Sequence, residues 1–281
     1  MAVRTVVTIA GLTLREALRR RVVLALAALT VLLLVLSGWG FWRLAAESLT
    51  SGQARLTASI VLNLVMFGFS LIAALGTAFL AGPTLAGETE SGIALAVLAR
   101  PIRRPAFLLG KWLGLVVFGS SFVVLAGLAQ CIVVRLTVDY WPPEPAVALA
   151  HLAAQTVVLL TLAVLLSTAV SPMASGVVAV GLFGATWIAG VVGAIGRSLD
   201  NEAVARVGSI SRMILPTDGL WRGAMHAFQD PSALLEFGGQ EGEAFPFLSQ
   251  APLTTAYLVW AAVWVVMVWA LAASSFVRKD L

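Results

Sequence analysis

The sequence predicts an all-α integral membrane protein with six membrane-spanning helices. Of its 281 residues, 60% are hydrophobic and only 11% are charged, and the mean hydropathy is +0.97. A soluble domain carries about 25% charged residues, so most of this chain must be solvated by lipid. Six apolar segments each reach the length of about 20 residues that a helix needs to cross about 30 Å of hydrocarbon. Alternating ten-residue strands are absent from the sequence, which excludes a membrane barrel.

Each span must be a helix, because its backbone N–H and C=O groups have to be satisfied within the segment. The predicted spans cover about residues 22–42, 58–81, 107–134, 147–170, 174–195 and 254–276. Only three residues separate the fourth span from the fifth, and Pro172 among them prevents one continuous helix, so a tight helical hairpin is expected there. The sequence contains no internal repeat and no second soluble domain, and residues 1–281 are therefore interpreted as a single membrane domain.

Residues 1–21 precede the first span and combine apolar side chains at helical spacing with five arginines. This pattern predicts an amphipathic helix that lies in the membrane interface with its arginines toward anionic headgroups. A signal-peptide n-region is the alternative, but the basic part is long and further spans follow it. The arginines are Arg4, Arg15, Arg19, Arg20 and Arg21.

The charges predict the orientation of the chain. With the N-terminus inside, the inner segments, counted as 1–21, 82–111, 171–173 and 277–281, hold eleven cations and four acids, whereas the outer segments hold seven cations and ten acids. The protein is expected in the plasma membrane. The positive-inside rule then places both termini and residues 82–106 in the cytoplasm, and residues 196–253 outside the cell. Aromatic residues at the predicted boundaries form the expected interfacial belt. They are Trp39, Trp42, Tyr140, Trp141 and Tyr257 outside and Trp112 inside.

The long outer segment, residues 196–253, is predicted to form short helices between the fifth and sixth spans. The sequence from Leu215 to Gly219 indicates a turn into a short amphipathic helix that ends near Phe228. Either Thr217 or Asp218 has the side chain to cap that helix at its N-terminus.

The sequence carries no motif for catalysis or nucleotide binding. Gly110 and Lys111 are followed by Trp112 without the upstream glycines of a phosphate-binding loop, and no metalloprotease, hydrolase or Cys-x-x-Cys motif occurs. No carboxylate lies in the middle of any predicted span, although ion-coupled carriers usually need an ionisable group there. These absences favour a transporter that takes its energy from another subunit over an ion-coupled secondary transporter or a membrane enzyme. No cofactor and no metal site are expected in this chain.

The connection between the second and third spans is unusually rich in acids, cations, glycines and prolines. The first part is Glu-x-Glu-x-Gly, with its acid at Glu88 or Glu90 and its glycine at Gly92. The second is Leu-x-x-Pro-x-x-Arg, at Leu98, Pro101 and Arg104. The third is Gly-Lys at the start of the next span, at Gly110 and Lys111. This order resembles the ABC-2 type permeases, the membrane subunits of a class of ATP-binding-cassette exporters. Ile93 departs from the family, which usually has threonine there. The resemblance extends over nearly the whole chain, and residues 14–21 look most like the multicopper-enzyme and nitrous-oxide-reductase maturation branch.

The resemblance implies a coupling helix at about residues 86–98 that docks on a cytoplasmic ABC ATPase. It also implies two copies of that ATPase, which bind ATP and Mg²⁺, and a second permease subunit that is either identical or a paralogue. An extracytoplasmic accessory protein is a further expected partner, whereas no nucleic-acid partner is expected. The residues implied in coupling are Glu88, Glu90, Gly92, Leu98, Arg100, Pro101 and Arg104. The alternative for the arginines is that they only enforce topology, which explains the two glutamates poorly.

Two faces are candidates for lining a transport pathway. Asn63, Ser70 and Thr77 recur every seven residues and share one face of the second span, and Ser175 and Thr186 lie on a small-residue face of the fifth. Ordinary close packing of membrane helices explains the same pattern equally well. Three larger polar residues are expected to form hydrogen bonds between helices, namely Gln130, His151 and Gln155. The mostly apolar lining suits a hydrophobic or amphipathic cargo.

Overall fold

The computed structural model describes residues 2–46, 51–82, 87, 103–230 and 245–278, and these residues form nine helices and no strand. The helices are α1 (Ala2–Arg19), α2 (Arg21–Ala45), α3 (Ser51–Gly82), α4 (Arg104–Val138), α5 (Pro145–Ala169), α6 (Pro172–Ser198), α7 (Glu202–Ile214), α8 (Thr217–Phe228) and α9 (Thr255–Arg278).

Six of these helices, α2 to α6 and α9, are long and apolar enough to cross a membrane. The prediction of an all-α membrane protein with six spans is therefore confirmed, and the predicted spans start and end within the observed helices or one residue beyond them. Pro172 occupies the first turn of α6, where its missing N–H costs no helical hydrogen bond, and it produces the predicted tight turn from α5. The predicted coupling helix at residues 86–98 lies outside the described residues apart from Gly87.

Helix α5 is the centre of the bundle, because α3, α4, α6, α8 and α9 all pack around it. Its buried side chains include Leu152, Leu159 and Ala163, which are covered by the neighbouring helices on several sides of α5. At the edge of the bundle, α2 packs on α3 through leucines that fill the space above glycines. Leu33 lies against Gly68, and Leu26 lies against Gly76, so that the two helices approach closely.

Helices α7 and α8 form a hairpin, called here the α7–α8 hairpin (residues 202–228), in which α7 packs on α6 and the buried α8 lies among α3, α5 and α6. At its tip, the Ile214 carbonyl accepts a hydrogen bond of 2.8 Å from Trp264, nine residues or about 14 Å inside α9. The Thr217 carbonyl accepts one of 3.2 Å from Gln155, ten residues or about 15 Å inside α5. Helix α8 then returns to the end of α4, where the Tyr140 hydroxyl donates to the Phe228 carbonyl at 2.7 Å.

The position of the hairpin bears on three expectations. The extracytoplasmic location of residues 196–253 stays a prediction, and the tip of the hairpin packs against the middle of α5 and α9. Pro216 rather than Thr217 or Asp218 occupies the N-cap position of α8 and makes no side-chain cap, so the predicted cap is wrong. Tyr140 is buried against the hairpin and does not belong to an interfacial belt, whereas Trp39 and Trp42 are exposed.

Candidate functional site

The predicted coupling residues are only partly within the structure. Among the seven, Arg104 lies in the described part of the chain, and the other six (Glu88, Glu90, Gly92, Leu98, Arg100 and Pro101) lie outside it. Arg104 is the first residue of α4, and its guanidinium donates a hydrogen bond of 2.9 Å to the Val277 carbonyl near the end of α9. The segment after the predicted coupling helix is thus joined directly to the last span.

Helix α1 packs across the first turns of α4 at two glycines. A Cβ added at Gly110 would lie 2.7 Å from the Cβ of Ile9, and one added at Gly114 would lie 2.7 Å from the Ala10 carbonyl oxygen. Real side chains do not approach backbone and branched side chains this closely, so the contact requires glycine at both positions. The glycine of the Gly-Lys pair therefore has a specific physical role, which is to admit α1.

The lysine of the same pair strengthens this contact electrostatically. Lys111 is buried, lies 5.7 Å from the centre of the Phe107 ring, and approaches Glu16 of α1 to 3.6 Å. Glu16 also accepts a hydrogen bond from Arg20. Partial burial raises the pKa of Glu16, but the hydrogen bond from Arg20 and the positive charge of Lys111 outweigh it and leave the pKa below its usual value.

These contacts connect three helices at one end of the bundle, called here the α1 end. Helix α1 is held to α4 by the glycine contacts and the Glu16–Lys111 pair, and α4 is held to α9 by the Arg104 hydrogen bond and by Phe107, whose ring stacks on Phe276 with centroids 6.2 Å apart. The start of α4 is therefore in direct contact with both α1 and α9.

A charged cluster lies in the α7–α8 hairpin. The Asp218 carboxylate accepts a hydrogen bond of 2.8 Å from Arg212 and one of 3.2 Å from Arg222, and its side chain is only 1% exposed. Arg222 also donates to the Gly190 carbonyl of α6 at 2.9 Å. Position 190 has no room for a Cβ beside the carboxylate, so glycine there allows the cluster to sit directly against the span.

The five predicted pathway residues are all buried within the subunit, none more than 8% exposed. Ser70 donates to Gln155 at 3.0 Å, and the Thr186 hydroxyl lies 3.0 Å from that of Thr217 in the hairpin. Asn63 donates to the Phe247 carbonyl at 3.1 Å. The remaining two, Thr77 and Ser175, bond to carbonyls of their own helices. Their role as a pathway stays a prediction, and it would require α6 or the hairpin to move away.

The predicted polar contacts between helices are confirmed for two residues. Gln130 accepts a hydrogen bond of 2.8 Å from Ser37, and Gln155 contacts both Ser70 and the hairpin. Nδ1 of His151 has no hydrogen-bond partner within the described ranges.

Asp218 is absent from the residues predicted from the sequence, because the expectation about membrane carboxylates concerned only the spans. Asp218 lies in α8, whose 12 residues are too few to cross a membrane. Two signals were available. Arg222 follows Asp218 by four residues, the spacing of a helical ion pair. Small residues also recur along α6 and in α7, where Gly193 and Gly208 pack backbone to backbone.

No family model and no curated protein matches the chain. Within the described residues, no group of three or more His, Cys, Asp or Glu side chains could hold a metal ion.

Proposed function

We propose that this chain is the membrane subunit of an ATP-driven exporter of the ABC-2 type, which moves a hydrophobic or amphipathic substrate with energy from a separate ATPase. The observation that carries the proposal is the α1 end of the bundle. There, a segment with the motif order of these permeases leads directly into Arg104, and Arg104, Gly110 and Lys111 tie α1, α4 and α9 together. Such an arrangement suits a chain that receives force from a partner.

In this proposal the α1 end faces the cytoplasm, where it binds one copy of the ATPase. A second permease subunit, identical or paralogous, completes the assembly with its own ATPase copy. The acids Glu88 and Glu90 lie in the first turn of the proposed coupling helix, where negative charge is favourable, and its apolar side chains fit a groove on the ATPase.

The proposal is tested by neutralising the two glutamates in the full chain. Glu88→Gln with Glu90→Gln should lower ATP turnover by the co-reconstituted ATPase and weaken its co-purification with the permease, while expression and the unfolding midpoint stay unchanged. The matched control is Asp200→Asn with Glu202→Gln, a pair with the same spacing at the opposite end of the bundle, which should leave both readouts unaltered. Co-purification with no ATPase at all would sink the proposal.

The second candidate is an ion-coupled transporter that acts alone, and the buried Asp218 is the observation that favours it. Intramembrane carboxylates commonly carry protons or bind sodium. Here, however, the carboxylate is already paired with two guanidinium groups, which supply the compensation that a coupling ion would otherwise provide. Accumulation of a fluorescent amphipathic anion in vesicles containing only this chain, driven by an imposed ion gradient without ATP, would favour this candidate instead.

A further inference from the structure

A groove of about 620 Å³ lies between the last turns of α5 and α9, at the α1 end of the bundle. It is called here the α5–α9 groove, and its lining includes Leu165, Thr168, Leu271, Ser274, Ser275 and Arg278. Its volume falls in the range of about 300–1,000 Å³ that is typical of small-molecule sites. Because the groove opens between the ends of two helices that are long and apolar enough to span a membrane, lipid molecules have direct access to it.

The chemistry of the groove changes in a fixed order along its depth. Leu165 and Leu271 form the inner, apolar part, and hydroxyl residues follow them at Thr168 and Ser274. Arg278 is the last residue of α9, about 10 Å further along the helix axis than Leu271. This order of apolar, hydroxyl and cationic groups matches a phospholipid, which presents acyl chains, ester oxygens and a phosphate from the bilayer core outward.

Two side chains at the polar end of the groove can donate hydrogen bonds to a ligand. The Ser275 hydroxyl oxygen accepts a hydrogen bond of 3.0 Å from Thr168, and within the described ranges it donates none. Arg278 is exposed at the rim, where its guanidinium offers five N–H donors in a planar fork. Such a fork binds two phosphate oxygens at once.

The helix ends beside the groove do not repel an anion strongly. The last carbonyls of a helix carry a partial negative charge, which hydrogen-bond donors and nearby cations offset. The Leu166 carbonyl of α5 accepts a hydrogen bond of 2.9 Å from the Val170 N–H, and the Val277 carbonyl of α9 accepts one of 2.9 Å from Arg104. Arg278 adds a full positive charge in the last turn of α9.

We propose that the α5–α9 groove binds one anionic phospholipid. Its phosphate contacts Arg278 and the Ser275 hydroxyl, and its acyl chains lie along Leu165 and Leu271. Basic pockets between spanning helices bind anionic headgroups in this way. The segments assigned to this side of the membrane hold eleven cations and four acids, which favours an anionic lipid over a zwitterionic one. Binding at this site does not depend on the proposed export function, and its failure would leave that proposal untouched.

The test measures lipid binding to the purified full chain by native mass spectrometry, which resolves each bound lipid by its mass. The probes are dioleoyl phosphatidylglycerol, dioleoyl phosphatidylcholine with the same acyl chains and no net charge, and inorganic phosphate as a competitor. We expect the first phosphatidylglycerol to bind at least tenfold more tightly than the first phosphatidylcholine, with a difference that shrinks as the ammonium acetate concentration rises. Phosphate at the same concentration as the lipid should not displace it, because phosphate lacks the acyl chains that the leucines contact.

Three variants locate the binding. Arg278→Gln should weaken the first phosphatidylglycerol binding about tenfold or more, as expected for loss of a charged hydrogen bond. Ser275→Ala should weaken it about two- to tenfold through loss of a neutral hydrogen bond. Ala169→Trp fills the groove without changing its charge and should abolish the preference for phosphatidylglycerol. The matched control Arg103→Gln removes an exposed arginine at the same end that does not line the groove, and it should change the affinity less than about twofold.

Several results would overturn the proposal. They are equal affinity for the two lipids, unchanged binding by the Arg278→Gln variant, and displacement of the lipid by an equal concentration of phosphate, which would identify a soluble ligand instead. A further one concerns Asp280, which lies outside the described residues. If phosphatidylglycerol binds only after Asp280→Asn, the chain's own carboxylate occupies Arg278 and the lipid is not its ligand. Unchanged elution in size exclusion confirms that each variant is folded.

Discussion

Replacing the buried carboxylate of the hairpin should destabilise the protein strongly. Asp218→Asn keeps the shape of the side chain but leaves Arg212 and Arg222 facing each other without compensation. Two charged hydrogen bonds, at 2.8 and 3.2 Å, are each worth about 1.5–3 kcal/mol. Breaking a buried pair by removing one partner costs about 3–5 kcal/mol. Because the arginine side chains are 21% and 13% exposed, water screens part of the repulsion, and we expect a loss of about 3 kcal/mol.

The loss is measured as the change in free energy of unfolding, from titration of the purified protein with sodium dodecyl sulfate followed by circular dichroism. Asp139→Asn is the matched control. Its carboxylate also pairs with an arginine, at 2.9 Å, but is 86% exposed, and asparagine tolerates the left-handed conformation there, so a change below about 0.5 kcal/mol is expected. Equal effects of the two substitutions would refute the reasoning that burial makes the Asp218 pairs strong.

A double variant separates the pair from its surroundings. Arg212→Gln with Asp218→Asn removes both members of one ion pair, so it should be less destabilised than the sum of the two single variants by about 1–3 kcal/mol. Simple additivity would show that the two side chains do not stabilise each other.

Three further substitutions probe the close contacts between helices, each read from the same unfolding titration. Gly208→Val forces a side chain against the backbone of α6 and should cost about 1–3 kcal/mol or more, whereas Gly181→Val, which has open space, should be nearly neutral. Gly110→Val should separate α1 from α4 and lower the stability by a similar amount, with Gly11→Val as its neutral counterpart. Asn63→Leu removes hydrogen bonds to the hairpin carbonyl and the segment after it, at a cost of about 1–3 kcal/mol. A neutral result at any of the three would show that the contact is not maintained in the membrane.

Much of the fold could be predicted because the deciding quantity is local. A segment of about 20 apolar residues becomes a spanning helix whatever its neighbours are. Lipid solvates its apolar side chains, and the helix forms the backbone hydrogen bonds within the segment. Pro172 likewise breaks the chain between α5 and α6 through its own geometry. The predictions for Gln130 and Gln155 succeeded for a related reason, because a polar side chain within a span has few partners except other helices.

The candidate site could be predicted only in part. The Gly-Lys pair at the start of α4 was recognised as a motif, but its partners on α1 lie about a hundred residues away, and nothing local indicates that Gly110 meets Ile9 or that Lys111 meets Glu16. The assignment of Asp218 to a helix cap failed for the same reason. Capping considers only the nearest turns of chain, whereas this carboxylate is paired with an arginine from the preceding helix and one a turn later in its own.

The sequence by itself determined that this is a six-span helical membrane protein with a basic amphipathic helix before the first span. Those properties follow from composition over short windows. Only the tertiary structure decided that α8 is buried among the spans and that α7 packs on α6. Both helices of that hairpin are shorter than the six spans, so their positions do not follow from their own composition. The hairpin is stabilised against the spans because glycines of α6 admit its backbone and because Asp218 compensates Arg212 and Arg222.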